Sequence, residues 1–291
     1  MRIRLLLAFF LFPFCAFAQD YFPVKGQVVN TRGEAVEYVQ VGVPGLQIGT
    51  ISSPDGQFEI SVPECTLEFF HVSYKPASLS VTGATSDVVI VLEDEELPPA
   101  VFVGGNTKAK YLLRPGSKLP GGVVSFSLQD GRPKGRELGS VAVVRKPFLV
   151  KDIHLSVHSN HIPGCVSAIN IYRIDKGADT ADKTESFVNV LHRPMYFDVE
   201  VSYKPQDIVV RPEETLLLEP GRYFIAFQIV DCDQEALRAF LQSPKEERKF
   251  WEMTMDFIIH FKSSYLREAA LGEMQHLPIN IGISVRGLEY Q

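Results

Sequence analysis

Tryptophan is nearly absent: the 291 residues hold one, Trp251, against ten Tyr and twenty Phe. A sugar-stacking surface built on indole rings has a single residue to use, and phenylalanine in strands is mostly core material. Cysteine is scarce as well, with Cys15, Cys65, Cys165 and Cys232 far apart in the chain. No Cys-x-x-Cys pair occurs, which excludes the usual zinc-ribbon and dithiol spacings. There is no surplus of positive charge. With 29 Lys and Arg against 35 Asp and Glu, the formal charge is -6, so the chain has no general attraction for nucleic acid or anionic lipid. Gly-x-Ser-x-Gly, His-Glu-x-x-His, Gly-x-Gly-x-x-Gly and the phosphate-binding loop are all missing. The sequence therefore nominates no catalytic residue, no cofactor-binding residue, no metal ligand and no cofactor.

Long apolar runs are also lacking after the first residues. Arg2 and Arg4 precede Leu5 to Ala18, which closes on Ala16-Phe17-Ala18. Basic start, apolar middle and small residues before the cut are the plan of a secretory signal peptide over residues 1–18. The run is too short, and Pro13 breaks it, for the roughly 20 residues that a spanning helix requires. Phe12-Pro13-Phe14 before Cys15 lacks the small residues of a lipid-attachment site. The expected location is outside the cytoplasm, in the periplasm or at the outer membrane or cell surface, with no transmembrane segment once the leader is gone. Cys65, Cys165 and Cys232 then remain, an odd number that allows at most one internal disulfide. Three buried thiols and a Cys165–Cys232 bridge both stay open.

Against these absences stand 45% apolar and 22% charged residues, ordinary globular material long enough for two domains. From Val24 to Leu92, alternating segments are split by turn sequences such as Asn30-Thr31-Arg32-Gly33 and Ser53-Pro54-Asp55-Gly56. Val39, Val41 and Val43 share one face of a strand, as do Phe58, Ile60 and Val62. Seven short strands at intervals of roughly 8–12 residues, with no helical period, predict a small β-sandwich.

Several of these segments also form an ordered set: Val24-Lys25-Gly26-Gln27-Val28-Val29, Gly33-Glu34-Ala35-Val36, Gly49-Thr50, Asp55-Gly56-Gln57-Phe58 and His71-Val72-Ser73-Tyr74. In that order they resemble the carboxypeptidase regulatory-like domain family, over residues 22–92. Ser53 and Ser73 depart from the family pattern, where Asp and Gly are common. The resemblance implies a seven-stranded transthyretin-like sandwich, a non-catalytic accessory module common at the front of outer-membrane receptors of Gram-negative bacteria. This chain is too short for such a receptor's barrel, and it has no His-x-x-Glu zinc pair with a distant third ligand, so neither uptake nor peptidase activity carries over.

Residues 93–120 begin Glu93-Asp94-Glu95-Glu96 and are rich in Pro and Gly, which reads as a linker with an extended stretch at Ala100 to Val103 and a helical turn around Lys108 to Leu113. From 121 to 291 the strand pattern resumes in longer segments. A helix is expected from Gln234 to Leu241 after Asp233, and another over Pro244 to Trp251. The fold class is all-β: the transthyretin-like sandwich, then a larger jelly-roll-like β-sandwich with a short helical insertion. Gly139-Ser140, Asn170-Ile171-Tyr172 and Glu219-Pro220-Gly221-Arg222-Tyr223 resemble the second domain of other secreted proteins with the same front module.

Candidate chemistry is thin. His154 and His158 share a strand face but stand about 13 Å apart, too far to hold one metal ion together with His161 unless the strand bends. His71, His192, His260 and His276 have no partner at ligand spacing. Asp55-Gly56 is a turn, since Gln57, Phe58 and Glu59 do not continue a calcium loop. Asp198 and Glu200 share a strand face, as solvent-facing carboxylates do, and a glycosidase needs a partner on a second strand. The expected function is a non-catalytic exported cell-envelope protein that binds or assembles, with a protein or glycan partner and the binding residues unassigned. The alternatives are a glycan- or peptide-acting hydrolase in the second domain, and an accessory partner of an outer-membrane uptake complex that lends an edge strand.

Overall fold

The computed structural model describes residues 20–95, 104–129, 134–176 and 185–291. The leader and the extended stretch at 100–103 lie outside these residues.

The first sandwich has the seven strands that the alternation predicts: β1 (Phe22–Asn30), β2 (Gln40–Gly42), β3 (Gly49–Ile51), β4 (Gln57–Val62), β5 (Cys65–Phe70), β6 (Ala77–Val81) and β7 (Thr85–Leu92). They form a three-stranded sheet, β4-β1-β7, and a four-stranded sheet, β3-β2-β5-β6. In β4 every second residue is buried, so Phe58, Ile60 and Val62 enter the core while Gln57, Glu59 and Ser61 face water. Phe58 meets Phe69 of β5 edge-to-face at 5.2 Å, which locks the two sheets together. The Ser53–Gly56 turn closes with Gly56 N–H donating to Ser53 O at 2.9 Å; φ of +71° at Gly56 is a conformation that glycine adopts without strain.

The second sandwich starts earlier than the linker reading allowed. Residues 107–113, expected to hold a helical turn, are strand β8 (Thr107–Leu113), paired along β21 (Ile283–Tyr290) from Val285↔Leu113 to Tyr290↔Thr107. Only the last residue of β8 is buried, so this edge strand shows no two-residue period in its sequence. β9 (Ser117–Ser127) follows and pairs with β19 (Thr254–Arg267). The remaining strands are β10 (Glu137–Val144), β11 (Phe148–Val157), β12 (Ser159–Asn160), β13 (Cys165–Lys176), β14 (Glu185–Asn189), β15 (Tyr196–Val199), β16 (Gln206–Val210), β17 (Leu216–Leu218), β18 (Gly221–Asp231) and β20 (Gln275–Ile281). One sheet runs β12-β19-β10-β18-β13-β14, with β9 and β20 on β19 and β15 on β13; the other runs β16-β11-β21-β8, with β17 on β11. Between the sheets Phe126 packs edge-on against Phe227 and Phe257, which are tilted against each other.

Helix α1 (Gln234–Gln242) forms where expected, because Asp233 accepts from the N–H groups of Glu235 and Ala236 at 2.9 and 3.0 Å. The second helix does not form. Only a single 3-10 turn, Lys245–Glu247, follows Pro244, which supplies no side-chain cap.

β18 is buried on both faces. Tyr223, Ile225, Phe227 and Ile229 belong to the sandwich core, while Val230 on the opposite face joins Ile51, Ala168, Ala270 and Tyr38 in a small cluster between the two sandwiches. The junction is close. Gly42 and Gly49, paired across β2 and β3, each lie so near Ala270 that a Cβ would stand 2.2 Å from its carbonyl oxygen. Tyr38 and Tyr196 meet edge-to-face at 4.9 Å, and Ser73 Oγ donates to His192 O at 3.1 Å.

Candidate functional site

The one tryptophan is built into a surface cluster at the end of the second sandwich. His161, Tyr203 and Trp251 stand within 4.9 to 6.3 Å of each other, ring centre to ring centre. Tyr203 is 72% exposed and Phe250, beside Trp251, 88% exposed. Lys249 Nζ lies 5.1 Å from the centre of the Trp251 ring, close enough for a cation–π contact.

Polar side chains fix these loops. The fully buried Asn160 donates to Val199 O at 2.8 Å and accepts from Ile162 N–H at 3.0 Å. Its backbone N–H donates to Ser202 O at 2.8 Å, which sets His161 beside Tyr203. On the other side, Gln129 Nε2 donates to the carbonyls of Lys249 and Phe250 at 3.1 Å and to that of Glu252 at 2.5 Å. Thr254 Oγ1 closes the loop on Trp251 O at 2.7 Å.

A groove of about 550 Å³ with mixed polar and apolar walls begins beside this cluster, lined by Pro205, two residues after Tyr203, and His158, three before His161. His154, Ser156, Asp207 and His260 line it too, as does Lys118, the cross-strand partner of His260. β11 supplies His154 and Ser156, with Ser156 directly opposite Asp207 of β16, and β19 supplies His260. Ser156 donates its hydroxyl hydrogen to Asp207. His154 Nε2 donates to Asp152 Oδ1 at 2.7 Å, and Arg286 grips the same carboxylate at 2.7 and 3.2 Å. The Arg286 hydrogen bond holds the Asp152 carboxyl below its ordinary range, against a partial opposing effect of burial. His260 Nδ1 donates to Gly116 O at 2.8 Å.

This arrangement bears on the sequence candidates individually. Three imidazoles border one groove, yet among the described residues no three His, Cys, Asp or Glu side chains are placed to hold a metal ion. The third histidine of the sequence cluster, His161, belongs to the aromatic group, and His260 takes its place in the groove through the pairing of distant strands. Asp198 and Glu200 are exposed, as expected of that strand face. His276 Nε2 bonds Ser263 Oγ at 2.8 Å, and Asp55 only accepts, through its carbonyl, from Gln27 at 2.9 Å. The grouping of Tyr203, Phe250 and His161 is not legible in the sequence, because the pattern around Trp251 predicts a helix that does not form; the adjacent aromatic pair Phe250-Trp251 is the one local signal for it.

A second polar cluster lies under the domain junction. Glu137 and Arg267, cross-strand partners of β10 and β19, are joined at 3.0 Å; Asn170 and Tyr172 donate to the other Glu137 oxygen at 2.6 and 2.7 Å. Burial pushes the Glu137 carboxyl up, and Arg267, Tyr172 and Asn170 oppose it. Glu137 is fully buried, so the cluster is sealed and acts on stability, not on ligands.

The molecule is thus an all-β chain of two sandwiches whose exposed aromatic and polar groups converge at one end of the second. Residues 24–103 match the CarboxypepD_reg-like domain, so the first sandwich is a carboxypeptidase regulatory-like domain at the front of the chain. No curated protein matches. Among solved structures, the T=1 particle derived from infectious bursal virus aligns at 11% identity and a TM-score of 0.26, covering 87% of this chain and 59% of that one. The infectious bursal disease virus Gt strain aligns at 11% identity and 0.27, covering 93% and 65%. The chain therefore spans less than two thirds of those proteins, at scores below those of a shared fold. Among the described residues no helix is long and apolar enough to cross a membrane.

Proposed function

We propose that this is an exported, non-catalytic recognition module of the cell envelope that binds an extended glycan along the second sandwich. The observation that carries it is the position of an aromatic cluster beside a groove of mixed polar and apolar lining. Tyr203 and Trp251 offer ring surfaces to the apolar faces of a sugar, and Ser156, Asp207 and His158 offer hydrogen-bond partners to its hydroxyls. The groove pairs one carboxylate, Asp207, with one ammonium, Lys118, which suits a neutral, hydroxyl-rich ligand better than a polyanion. The same groove supports binding over hydrolysis. A serine nucleophile is activated by a base such as an imidazole or a lysine amine, whereas the Ser156 hydroxyl is turned to the Asp207 carboxylate.

Because the chain has one tryptophan, its fluorescence reports on this cluster alone. Titration with envelope oligosaccharides should shift Trp251 emission saturably, and Tyr203→Ala should weaken binding about tenfold while leaving the circular dichroism spectrum intact. Silence across a broad glycan panel rejects the reading.

A second reading rests on β7. In its sheet it pairs with β1 alone among the described residues, and it exposes Val89 at 60% and Val91 at 52%. Such an edge suits strand addition by a partner in an envelope complex. Val91→Lys would then abolish capture of that partner without touching glycan binding.

A further inference from the structure

Of the three cysteines among the described residues, two are brought together by strand register and the third is left apart. Cys165 opens β13 and Cys232 directly follows β18. These strands are antiparallel, and the last pair in the ladder is Val166↔Asp231, so one step further Cys165 faces Cys232. Chain proximity continues beyond them: a Cβ on Gly164 would lie 3.1 Å from the backbone nitrogen of Asp233. Both thiols point into the same hydrophobic core, with Cys165 1% and Cys232 7% exposed. Residues facing each other across antiparallel strands have Cα atoms roughly 4.5–5.5 Å apart, inside the roughly 4.4–6.8 Å that a disulfide spans. Cys65 packs against the core of the other sandwich. Among the described residues Cys65, Cys165 and Cys232 are all free thiols.

We propose that Cys165 and Cys232 are a disulfide site, closed in an oxidising compartment by exchange with a small-molecule or protein disulfide. One cysteine thiolate attacks the donor disulfide and forms a mixed disulfide, releasing one donor thiol. The second cysteine then displaces the other donor thiol and forms the Cys165–Cys232 bond. The donor disulfide is reduced to two thiols, the two cysteines are oxidised, and their two protons end on the released thiols. Burial pushes the Cys165 thiol up to about 12, with a smaller contribution from the charge of Cys232, and burial pushes the Cys232 thiol up to about 11, so the folded reduced chain offers little thiolate. Exchange therefore belongs to the folding chain, before the core closes. The site is independent of the glycan reading: it concerns the core of the second sandwich and not its groove.

The test is refolding of the full chain from the reduced, denatured state in a mixture of reduced and oxidised glutathione, then alkylation under denaturing conditions and digestion without reductant. The expected products are a linked peptide pair containing Cys165 and Cys232, two fewer free thiols than in the reduced sample, and a Tm about 5–10 °C above the reduced form. Cys232→Ser should erase the redox dependence of Tm, and Cys65→Ser should preserve it. Full alkylation of Cys165 and Cys232 after refolding, or a link to Cys65 in place of either, overturns the proposal.

Discussion

His71 of the first sandwich meets Tyr196 of the second, with the imidazole Nε2 3.5 Å from the phenol oxygen. Nδ1 accepts from Ser73 N–H at 3.2 Å, so the ring serves as a neutral bridge across the junction.

Burial lowers His71 to about 4. The unfolded chain takes up this proton near pH 6.5, whereas the folded chain resists until about 4, so stability falls as pH drops through that window and is level above it. By linkage the loss approaches about 3 kcal/mol. Urea unfolding at pH 7, 5.5 and 4.5 should show the decline, and His71→Phe should remove the part between 6.5 and 5, where carboxylates contribute least.

Breaking the sealed pair at Glu137 leaves a guanidinium without its counter-charge. Arg267→Met or Glu137→Gln should each cost about 3–5 kcal/mol, and the double variant markedly less than their sum. Equilibrium unfolding of the four proteins checks this as a double-mutant cycle.

At Gly49 a methyl group collides with the Ala270 carbonyl, which is backbone and cannot swing aside. Gly49→Ala should lower stability by about 1–3 kcal/mol. Limited proteolysis should then cut more readily between the sandwiches than in the parent chain.

Asp233→Ala removes the acceptor for two N–H groups at the start of α1 and should cost about 1 kcal/mol. Hydrogen exchange should rise at Glu235 and Ala236 and remain unchanged in β18.

Much of the fold is legible in residues 22–92, where strands such as β4 and β5 have one wet face and one buried face, so that Phe58, Ile60 and Val62 announce their own orientation. The same logic fails at β8, an edge strand exposed along most of its length, and at β18, where both faces are covered and alternation disappears. Pro244 to Trp251 misleads for a different reason. Its acidic first turn favours a helix, but no cap holds one, and Gln129 from the turn after β9 fixes the loop instead.

What the sequence determined alone is therefore mostly local: the strand alternation, the Gly56 turn and the Asp233 cap each depend on residues within a few positions of one another, and the family of the first sandwich shows in the order of such short segments along the chain. The groove, the Tyr203–Trp251 cluster, the Cys165–Cys232 juxtaposition and the His71–Tyr196 bridge were decided only by tertiary structure. Each joins residues from separate strands or loops, and strand order and register, which place them side by side, are settled by the packing of the whole core.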